Sequence, residues 1–469
     1  MGKKGLMMKL QKIVSLNPGN NYEIVGEITV SSNDEINAKV AMARKAQPTW
    51  ATLAIKKRIE LLENLYNAFV QRKHDIASLA AQEMGMPISV SKAIDIEAGL
   101  QYMRGYLDYA EQWLAPEILF ENDTEIHYLY FEPRGVMGIS IPWNFPFCNF
   151  VWGVIQNLVV GNVVVFKHSE ECPLTGKLLE DIVACVALPN GVFNEIYGDG
   201  SGAGEYLMNN AIDGIYFTGS TNVGKHLYQV AAKKFIPAML ELGGSAPGIV
   251  FDDADLATAV ESIYFNRFVN SGQTCDGLKR LIVHRNHVET VIKQLKELLA
   301  TKKIGNPEDP ATDIGPLVAE RQLLFIEEQV ADARSKGASV VTGAKRSDGL
   351  LGAYYEPTIL TDITFDMRVW KEEVFGPVLP IVTFEHEDEA IALANDTAYG
   401  LGAYVYTKNK ERALRVGMLI QAGNISVNAT NYIIPQDPFG GYKNSGLGRE
   451  HGKQGLRELC SSKVIALKK

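Results

Sequence analysis

Apolar residues recur along the chain with two different periods, and these periods predict helices and strands in alternation. Over residues 38–81 they return at helical spacing, as Ile59, Leu62 and Leu65 do. Two further helices are predicted over residues 256–268 and 288–300. Short apolar runs between the helices predict buried strands at residues 137–141, 162–166, 214–217, 246–251, 280–284 and 403–407.

Strands that are separated by helices imply βαβ units and parallel sheets. The pattern restarts after residues 243–244, so we predict an α/β fold with two domains, the second beginning near residue 243. Residues 125–132 and 462–467 alternate as strands do and lie outside both runs. We expect these two outlying strands to pair as a small β-flap. Exposed strand edges are often used for subunit contact, so this flap is a candidate for joining subunits.

Composition and charge narrow the class of protein. The chain has 469 residues, 46% of them hydrophobic, which is too many for a disordered chain. Its 46 Lys and Arg against 55 Asp and Glu give a net charge of −9, which argues against nucleic acid or an anionic membrane as the main partner. Its five cysteines form no CxxC pair, so we expect a reducing compartment and no disulfide framework. The longest apolar run, residues 158–166, is too short to span a bilayer, and we predict a soluble cytoplasmic protein.

A glycine-rich turn and a charged turn indicate a nucleotide site. Residues 219–225 fit the spacing of a P-loop, but His226 stands where such a loop needs Ser or Thr to hold magnesium. The turn opens a predicted helix, whose free N–H groups suit an anion such as pyrophosphate. Lys167 and Glu170 follow a predicted strand, where α/β sheets bind ligands, and Glu170 suits ribose hydroxyls. A P-loop nucleotide hydrolase stays as a remote alternative.

Three residues in different segments together indicate covalent catalysis on a carbonyl group. Cys275 follows glycine and small polar residues, in a turn predicted to precede a helix, where the pKa of a thiol is lowered. Glu241 ends a strand-like run before two glycines and is a candidate general base. Asn144 lies between two prolines, which fix the turn and leave its amide as an oxyanion donor.

These residues lie in motifs that resemble the aldehyde dehydrogenase superfamily, and the match covers nearly the whole chain. In order, the motifs are PWNFP (142–146), FTGST (217–221), ELGG (241–244), GQTC (272–275), EVFGP (373–377) and PFGGYK (438–443). The resemblance implies that Cys275 attacks an aldehyde and that Asn144 and the Cys275 N–H hold the oxyanion. Hydride would pass to a nicotinamide and leave a thioester, and Glu241 would activate water to release the carboxylic acid.

The resemblance also implies an NAD(P) site. Lys167 and Glu170 would hold the adenine ribose, Ser220 would lie near the pyrophosphate, and Glu373 and Phe375 would hold the nicotinamide ribose end. The carboxylate of Glu170 favours NAD, and NADP is kept as a second acceptor. The full expected set is Ile141, Pro142, Trp143, Lys167, Ser169, Glu170, Gly200, Gly204, Phe217, Thr218, Gly219, Ser220, Leu242, Glu373 and Phe375.

The resemblance leaves several aldehydes open. In semialdehyde-oxidising branches, arginines that pair with the far carboxylate would fall at Trp152 and Val269, so their absence counts against succinate semialdehyde. Asp276 and Asp437 make a cationic aminoaldehyde plausible if both face the entrance. Both types of activity are kept, and a non-catalytic relative is a remote alternative. The expected pocket residues are Trp152, Val269, Thr274, Asp276 and Phe439.

The expected architecture is two parallel-sheet, Rossmann-like domains with a small β-flap oligomerisation element. We predict an NAD(P)-binding domain at residues 1–116 and 134–242, a catalytic domain at 243–450, and the oligomerisation element at 117–133 and 451–469. A homo-oligomer is expected, either a dimer or a tetramer. The protein's expected partner is a small-molecule aldehyde. We expect it to bind no metal, nucleic acid or membrane.

Overall fold

In the computed structural model, which describes residues 11–469, the chain forms a mixed α/β fold with four sheets. Residues 1–10 of the expected first domain lie outside the described residues. The strands are β1 (Lys12–Asn17), β2 (Glu23–Thr29), β3 (Glu117–Glu121), β4 (Glu125–Pro133), β5 (Val136–Ser140), β6 (Val163–Lys167), β7 (Phe193–Ile196), β8 (Gly214–Thr218), β9 (Ala238–Glu241), β10 (Ala246–Val250), β11 (Leu278–His284), β12 (Ser339–Thr342), β13 (Thr358–Thr361), β14 (Val378–Phe384), β15 (Gly402–Tyr406), β16 (Asn424–Val427), β17 (Gly446–Leu447) and β18 (Cys460–Lys468).

Helices connect most of these strands. They are α1 (Asn33–Thr52), α2 (Ile55–Met84), α3 (Ile88–Val90), α4 (Glu97–Trp113), α5 (Pro146–Phe150), α6 (Gln156–Val160), α7 (Pro173–Ala184), α8 (Glu205–Asn209), α9 (Thr221–Lys234), α10 (Leu256–Phe268), α11 (Val288–Ala300), α12 (Glu320–Ser335), α13 (Arg368–Lys371), α14 (Glu387–Asn395), α15 (Lys410–Leu419) and α16 (Gly452–Glu458). The predicted βαβ alternation and the α/β class are confirmed.

A six-stranded sheet in the order β17-β9-β8-β5-β6-β7 lies in the first half of the fold. Strands β5 to β9 run parallel, and the short β17 pairs antiparallel with β9, although it falls within the range 243–450 expected for the second domain. The chain leaves β5 toward β6 and β7, then returns to β8 on the other side. The loops after β5 and β8 therefore diverge and leave a crevice at the carboxyl ends of the strands.

A seven-stranded sheet in the order β12-β13-β14-β11-β10-β15-β16 forms the second half. Its strands pair in parallel except β12, which is antiparallel to β13. Leu281 and Val283 of β11 pack in one buried cluster with Leu379 and Ile381 of β14. The expected domain boundaries stay a prediction.

The flap is a three-stranded antiparallel sheet in the order β18-β4-β3. Strands β4 and β18 pair from Glu125 with Lys468 to Pro133 with Cys460, so the predicted pairing of the two outlying strands is confirmed. Strand β3 was not predicted. The flap leaves large apolar side chains in solvent, among them Ile118 and Val464, each 56% exposed.

The helical spacing over residues 38–81 is confirmed and is divided between two helices, because the backbone is extended at Leu53 (φ −66°, ψ 131°), between α1 and α2. One local prediction was wrong. Cys275 does not precede a helix, because the chain after it enters the buried strand β11. Within residues 11–469 no helix is both long and apolar enough to cross a membrane.

Candidate active site

A cavity of about 1030 Å³ lies where the carboxyl ends of β5, β8 and β9 face the loops before β11 and β14. It brings together the three expected catalytic residues and all five expected substrate-pocket residues. Eight of the expected cofactor residues also line it. The lining residues from the predicted set are Pro142, Trp143, Asn144, Trp152, Thr218, Gly219, Ser220, Glu241, Leu242, Val269, Thr274, Cys275, Asp276, Glu373, Phe375 and Phe439.

The loop before Cys275 holds three consecutive residues in the left-handed region of backbone conformation. The φ angles of Asn270, Ser271 and Gly272 are 52°, 53° and 71°. Non-glycine residues in this region are strained, and such strain persists only where the surroundings fix it. Here the Ser271 Oγ donates to the Gly315 carbonyl at 2.8 Å. The loop therefore presents Cys275 in one fixed orientation.

Asn144 is anchored so that part of its amide stays free. Its Nδ2 donates to the Gln273 carbonyl at 3.1 Å, and its own backbone carbonyl accepts from the Asn270 Nδ2 at 2.9 Å. Its Oδ1 accepts from the Asn149 Nδ2 at 3.3 Å, which fixes the orientation of the amide. An amide nitrogen carries two N–H donors, so one remains for an oxyanion in the cavity.

The thiol of Cys275 is half-buried. Burial raises its pKa well above the ordinary value, and the neighbouring carboxyl of Asp276 raises it further, while the ammonium of Lys279 opposes both. The prediction that a following helix lowers the pKa of the Cys275 thiol is therefore wrong. The chain continues from Cys275 into strand β11 rather than into a helix, and the deprotonated form needs a base or a bound partner to form.

Glu241, the last residue of β9, is 3% exposed, and neither of its carboxyl oxygens has a hydrogen-bond partner among residues 11–469. Burial raises its pKa, the nearby Glu450 raises it further, and Arg449 opposes this. The space around Oε1 depends on Gly440, where a Cβ would lie 2.8 Å from that oxygen. An unpaired buried carboxyl is costly, which favours a chemical role over a structural one.

Glu450 and His451 line the same cavity and were missed by the sequence analysis. Glu450 accepts a hydrogen bond from Tyr216, and burial raises its pKa to about 7. His451 has a φ of 61°, and its Nδ1 lies 2.6 Å from the Tyr106 hydroxyl. Neither residue sits in a periodic apolar pattern, and their partners come from β8 and α4, so local sequence carries no signal for them.

The expected adenosine end of the cofactor site forms a separate cluster beyond the cavity. The Lys167 Nζ donates to Glu170 Oε2 at 2.9 Å, and the backbone N–H of Gly200 donates to Glu170 Oε1 at 3.4 Å. A Cβ on Gly204 would lie 3.4 Å from the Lys167 side chain, so these residues adjoin. The backbone N–H of Ile141 donates to the Lys167 carbonyl at 3.4 Å. Two expected residues, Ser169 and Phe217, are buried outside the cavity lining.

The glycine turn after β8 opens helix α9, as predicted. Ser220 caps this 14-residue helix, with its side chain accepting from the backbone N–H of Val223 at 3.5 Å. His226, at the position that excludes a P-loop, pairs instead with Glu205 at 2.8 Å. No group of three or more His, Cys, Asp or Glu side chains that could hold a metal occurs in the part of the chain that the structure describes.

The donor set fits a dinucleotide. A helix start suits a pyrophosphate, and carboxylates at Glu170 and Glu373 suit the hydroxyls of two riboses. Glu373 Oε1 is already bound, by the Gly244 N–H at 3.0 Å and by Lys279 at 2.6 Å. Its Oε2 has no hydrogen-bond partner among residues 11–469, which leaves it for a ligand.

The substrate end of the cavity is aromatic and acidic. The Trp152 ring packs edge-on against Tyr102 at 5.4 Å between centroids, as part of an aromatic wall. Asp276 Oδ2 accepts from the Tyr432 hydroxyl at 2.9 Å, and burial raises the pKa of Asp276. Asp276 lines the cavity but Asp437 does not, so the condition that both acids face the entrance is not met.

Comparison with known proteins gives one family. The family model described as "Aldehyde dehydrogenase family" matches residues 7–465. A peroxisomal aminoaldehyde dehydrogenase of Malus domestica is 38% identical over 466 residues, covering 97% of this chain and 92% of that protein. The NADP(+) succinate-semialdehyde dehydrogenase of Escherichia coli is 34% identical, covering 96% and 93%. The NAD+ complex of an aldehyde dehydrogenase from Bacillus cereus superposes with a TM-score of 0.94 at 32% identity, covering 98% of this chain and 93% of that one.

Proposed function

The chain belongs to the aldehyde dehydrogenase family, and from that premise we propose that Cys275, Asn144 and Glu241 carry out the oxidation of an aldehyde to its carboxylic acid. The enzyme is NAD(P)-dependent. The observation that supports these three roles is their meeting in one cavity, with an oriented amide, a half-buried thiol and an unpaired buried carboxyl.

Cys275 is the nucleophile, and Asn144 stabilises the charge that develops on the aldehyde oxygen. Attack by sulfur gives a tetrahedral adduct whose oxyanion lies within reach of the free Asn144 N–H and the backbone N–H of Cys275. Because the amide is already held at both ends, it does not reorganise as the charge forms. When bound, NAD(P)+ supplies the hydride acceptor that the oxidation needs.

Glu241 is the general base for hydrolysis of the resulting thioester on Cys275. Its raised pKa makes the carboxylate a stronger base than an exposed one, which suits proton removal from water. The carboxyl of Glu450 acts on that pKa, since the two buried acids repel each other when both are charged.

We assign NAD as the preferred cofactor. Burial raises the pKa of Glu170, but the ammonium of Lys167 outweighs this and lowers it, so the carboxylate is charged at neutral pH. A charged Glu170 repels a 2′-phosphate, and Lys167 is already engaged with it. Glu170→Gln should raise activity with NADP relative to NAD, and an unchanged ratio would contradict the assignment.

We further assign a cationic aminoaldehyde as the substrate class. The cavity is lined by Glu and Asp side chains, and its lining among residues 11–469 contains one Lys or Arg side chain, Arg321. The Nε of Arg321 is paired with Glu171 at 3.1 Å. Asp276 lies beside the nucleophile, and a bound ammonium would offset the cost of its burial. The Malus domestica relative is an aminoaldehyde dehydrogenase, which supports the same class.

The test compares aldehydes of equal carbon number that end in an ammonium, a methyl or a carboxylate group, each with NAD and NADP. We expect the ammonium compound to have the highest kcat/KM, and Asp276→Asn to reduce that preference about tenfold. Cys275→Ser should abolish turnover of all three. Preference for the carboxylate compound would instead support a succinate-semialdehyde-type activity. Turnover by Cys275→Ser would overturn the assignment of Cys275 as the nucleophile.

We also propose a homo-oligomer, a dimer or a tetramer, that assembles through the flap sheet. Ile118, Leu119 and Phe120 of β3 and Val464 and Leu467 of β18 are each at least 45% exposed, and exposed apolar strands favour association. The five cysteines are unpaired, which supports a reducing compartment such as the cytoplasm.

A further inference from the structure

One buried ammonium joins three parts of the proposed site. Lys279 is the second residue of β11, and its side chain is 0% exposed. Its Nζ donates to the Gly244 carbonyl at 2.8 Å, to the Cys275 carbonyl at 2.8 Å and to Glu373 Oε1 at 2.6 Å. An ammonium has three N–H donors, so all three are used.

The three partners of Lys279 are closely packed on one another. A Cβ on Gly243 would lie 2.3 Å from Glu373 Oε2, and a Cβ on Gly244 would lie 2.5 Å from the Cys275 carbonyl oxygen. The loop after the proposed base therefore packs directly on the nucleophile and on Glu373. Lys279 is the cation that bonds to all three segments at their meeting point.

We propose that Lys279 is a positioning residue, which sets the main chain of the nucleophile and the ribose-binding carboxylate in register with each other. By holding Glu373 Oε1 it leaves Oε2 aimed at the ligand, and by holding the Cys275 carbonyl it fixes the nucleophile relative to that ligand. The inference rests on the proposed roles of Cys275 and Glu373.

Electrostatics give Lys279 a second effect on the same atoms. Its ammonium is the cation that lowers the pKa of the Cys275 thiol, against burial and three carboxyl groups that raise it. An ion pair that only stabilised the fold would leave both the titration of the thiol and the KM for NAD unchanged in a folded variant. The pH at which Cys275 reacts reports the charge of Lys279, and the KM reports its hold on Glu373, so the two together separate a positioning role from a structural one.

The test uses Lys279→Met, which removes both the charge and the donors, and Lys279→Gln, which removes the charge but keeps an N–H pair. Arg280→Met is the matched control, because Arg280 is also 0% exposed and lies on β11 but donates to the carbonyls of Ser245, Leu393 and Ala394. Alkylation of Cys275 is followed against pH by peptide mass spectrometry, with the exposed Cys185 as an internal reference for the reagent.

For Lys279→Met we expect the alkylation midpoint to rise by about one pH unit and the KM for NAD to rise about tenfold. The kcat should fall about 100-fold, as for a displacement of 1 Å at the reacting atoms. Lys279→Gln should share the shifted midpoint but lose less kcat, and Arg280→Met should change neither the midpoint nor the KM.

An unchanged midpoint and KM in both folded Lys279 variants would overturn the proposal, as would failure of both to fold while Arg280→Met folds. The alkylation profile needs no turnover. If the wild-type protein oxidised no aldehyde, the proposed function would fail while the profile still decided the role of Lys279.

Discussion

The tight contact between Gly244 and the nucleophile predicts a large effect from adding one methyl group. A Cβ at position 244 would lie 2.5 Å from the Cys275 carbonyl oxygen, about 0.9 Å short of ordinary van der Waals contact. The obstacle is backbone rather than a flexible side chain, so the nucleophile itself must move. A displacement of about 1 Å costs on the order of 100-fold in rate, which corresponds to about 2.7 kcal/mol of transition-state stabilisation.

Gly244→Ala should therefore lower kcat about 100-fold in a steady-state assay of reduced nicotinamide, with a loss of about 1–3 kcal/mol in stability from overpacking. The control is Gly417→Ala in α15, where the added Cβ would meet only the Ile425 Cδ1, at 3.9 Å. This control should keep full activity and gain about 0.4–1 kcal/mol in stability. A Gly244→Ala enzyme with kcat within twofold of wild type would refute the packing argument.

Other perturbations test the electrostatics and the assembly. Glu241→Gln should move the alkylation midpoint of Cys275 to lower pH, since the Glu241 carboxyl raises the pKa of that thiol; an upward move would contradict this. Burial raises the folded-state pKa of Glu450 to about 7, so the free energy of unfolding should fall as pH rises from about 4.5 to about 7. Thermal melts of Glu450→Gln should show a smaller fall over the same pH range. Val464→Asp should lower the mass measured by light scattering to that of a monomer, while Leu351→Asp, at a 70% exposed position outside the flap, should not.

The sequence predicted best those features that depend on local pattern. Helices α10 and α11 have the predicted bounds, because each shows apolar residues at helical spacing between clear ends. The glycine turn after β8 was predicted to open a helix, and Ser220 caps one. The pairing of β4 with β18 was also predicted, since residues 125–132 and 462–467 both alternate as strands do and both lie outside the two α/β runs.

Features that depend on contacts between distant segments could not be predicted. The contact of Lys279 with Gly244 and Glu373 joins three segments, and no spacing rule relates them. The raised pKa of Cys275 follows from burial, which a local reading of the GQTC motif cannot supply. Whether Asp437 faces the cavity stayed open for the same reason, because its place before the PFGGYK motif does not say which way its side chain faces, and it does not line the cavity.

The most direct test of the account is a search for the covalent intermediate on Cys275. Glu241→Gln enzyme is mixed with NAD and an aldehyde, quenched in acid and analysed by peptide mass spectrometry. If Cys275 is the nucleophile and Glu241 the base for hydrolysis, the acyl group of the substrate should accumulate on the peptide that contains Cys275. Reduced nicotinamide should appear in one burst of about one equivalent per active site. Sustained turnover by this variant, or an acyl group on another residue, would contradict the central claim.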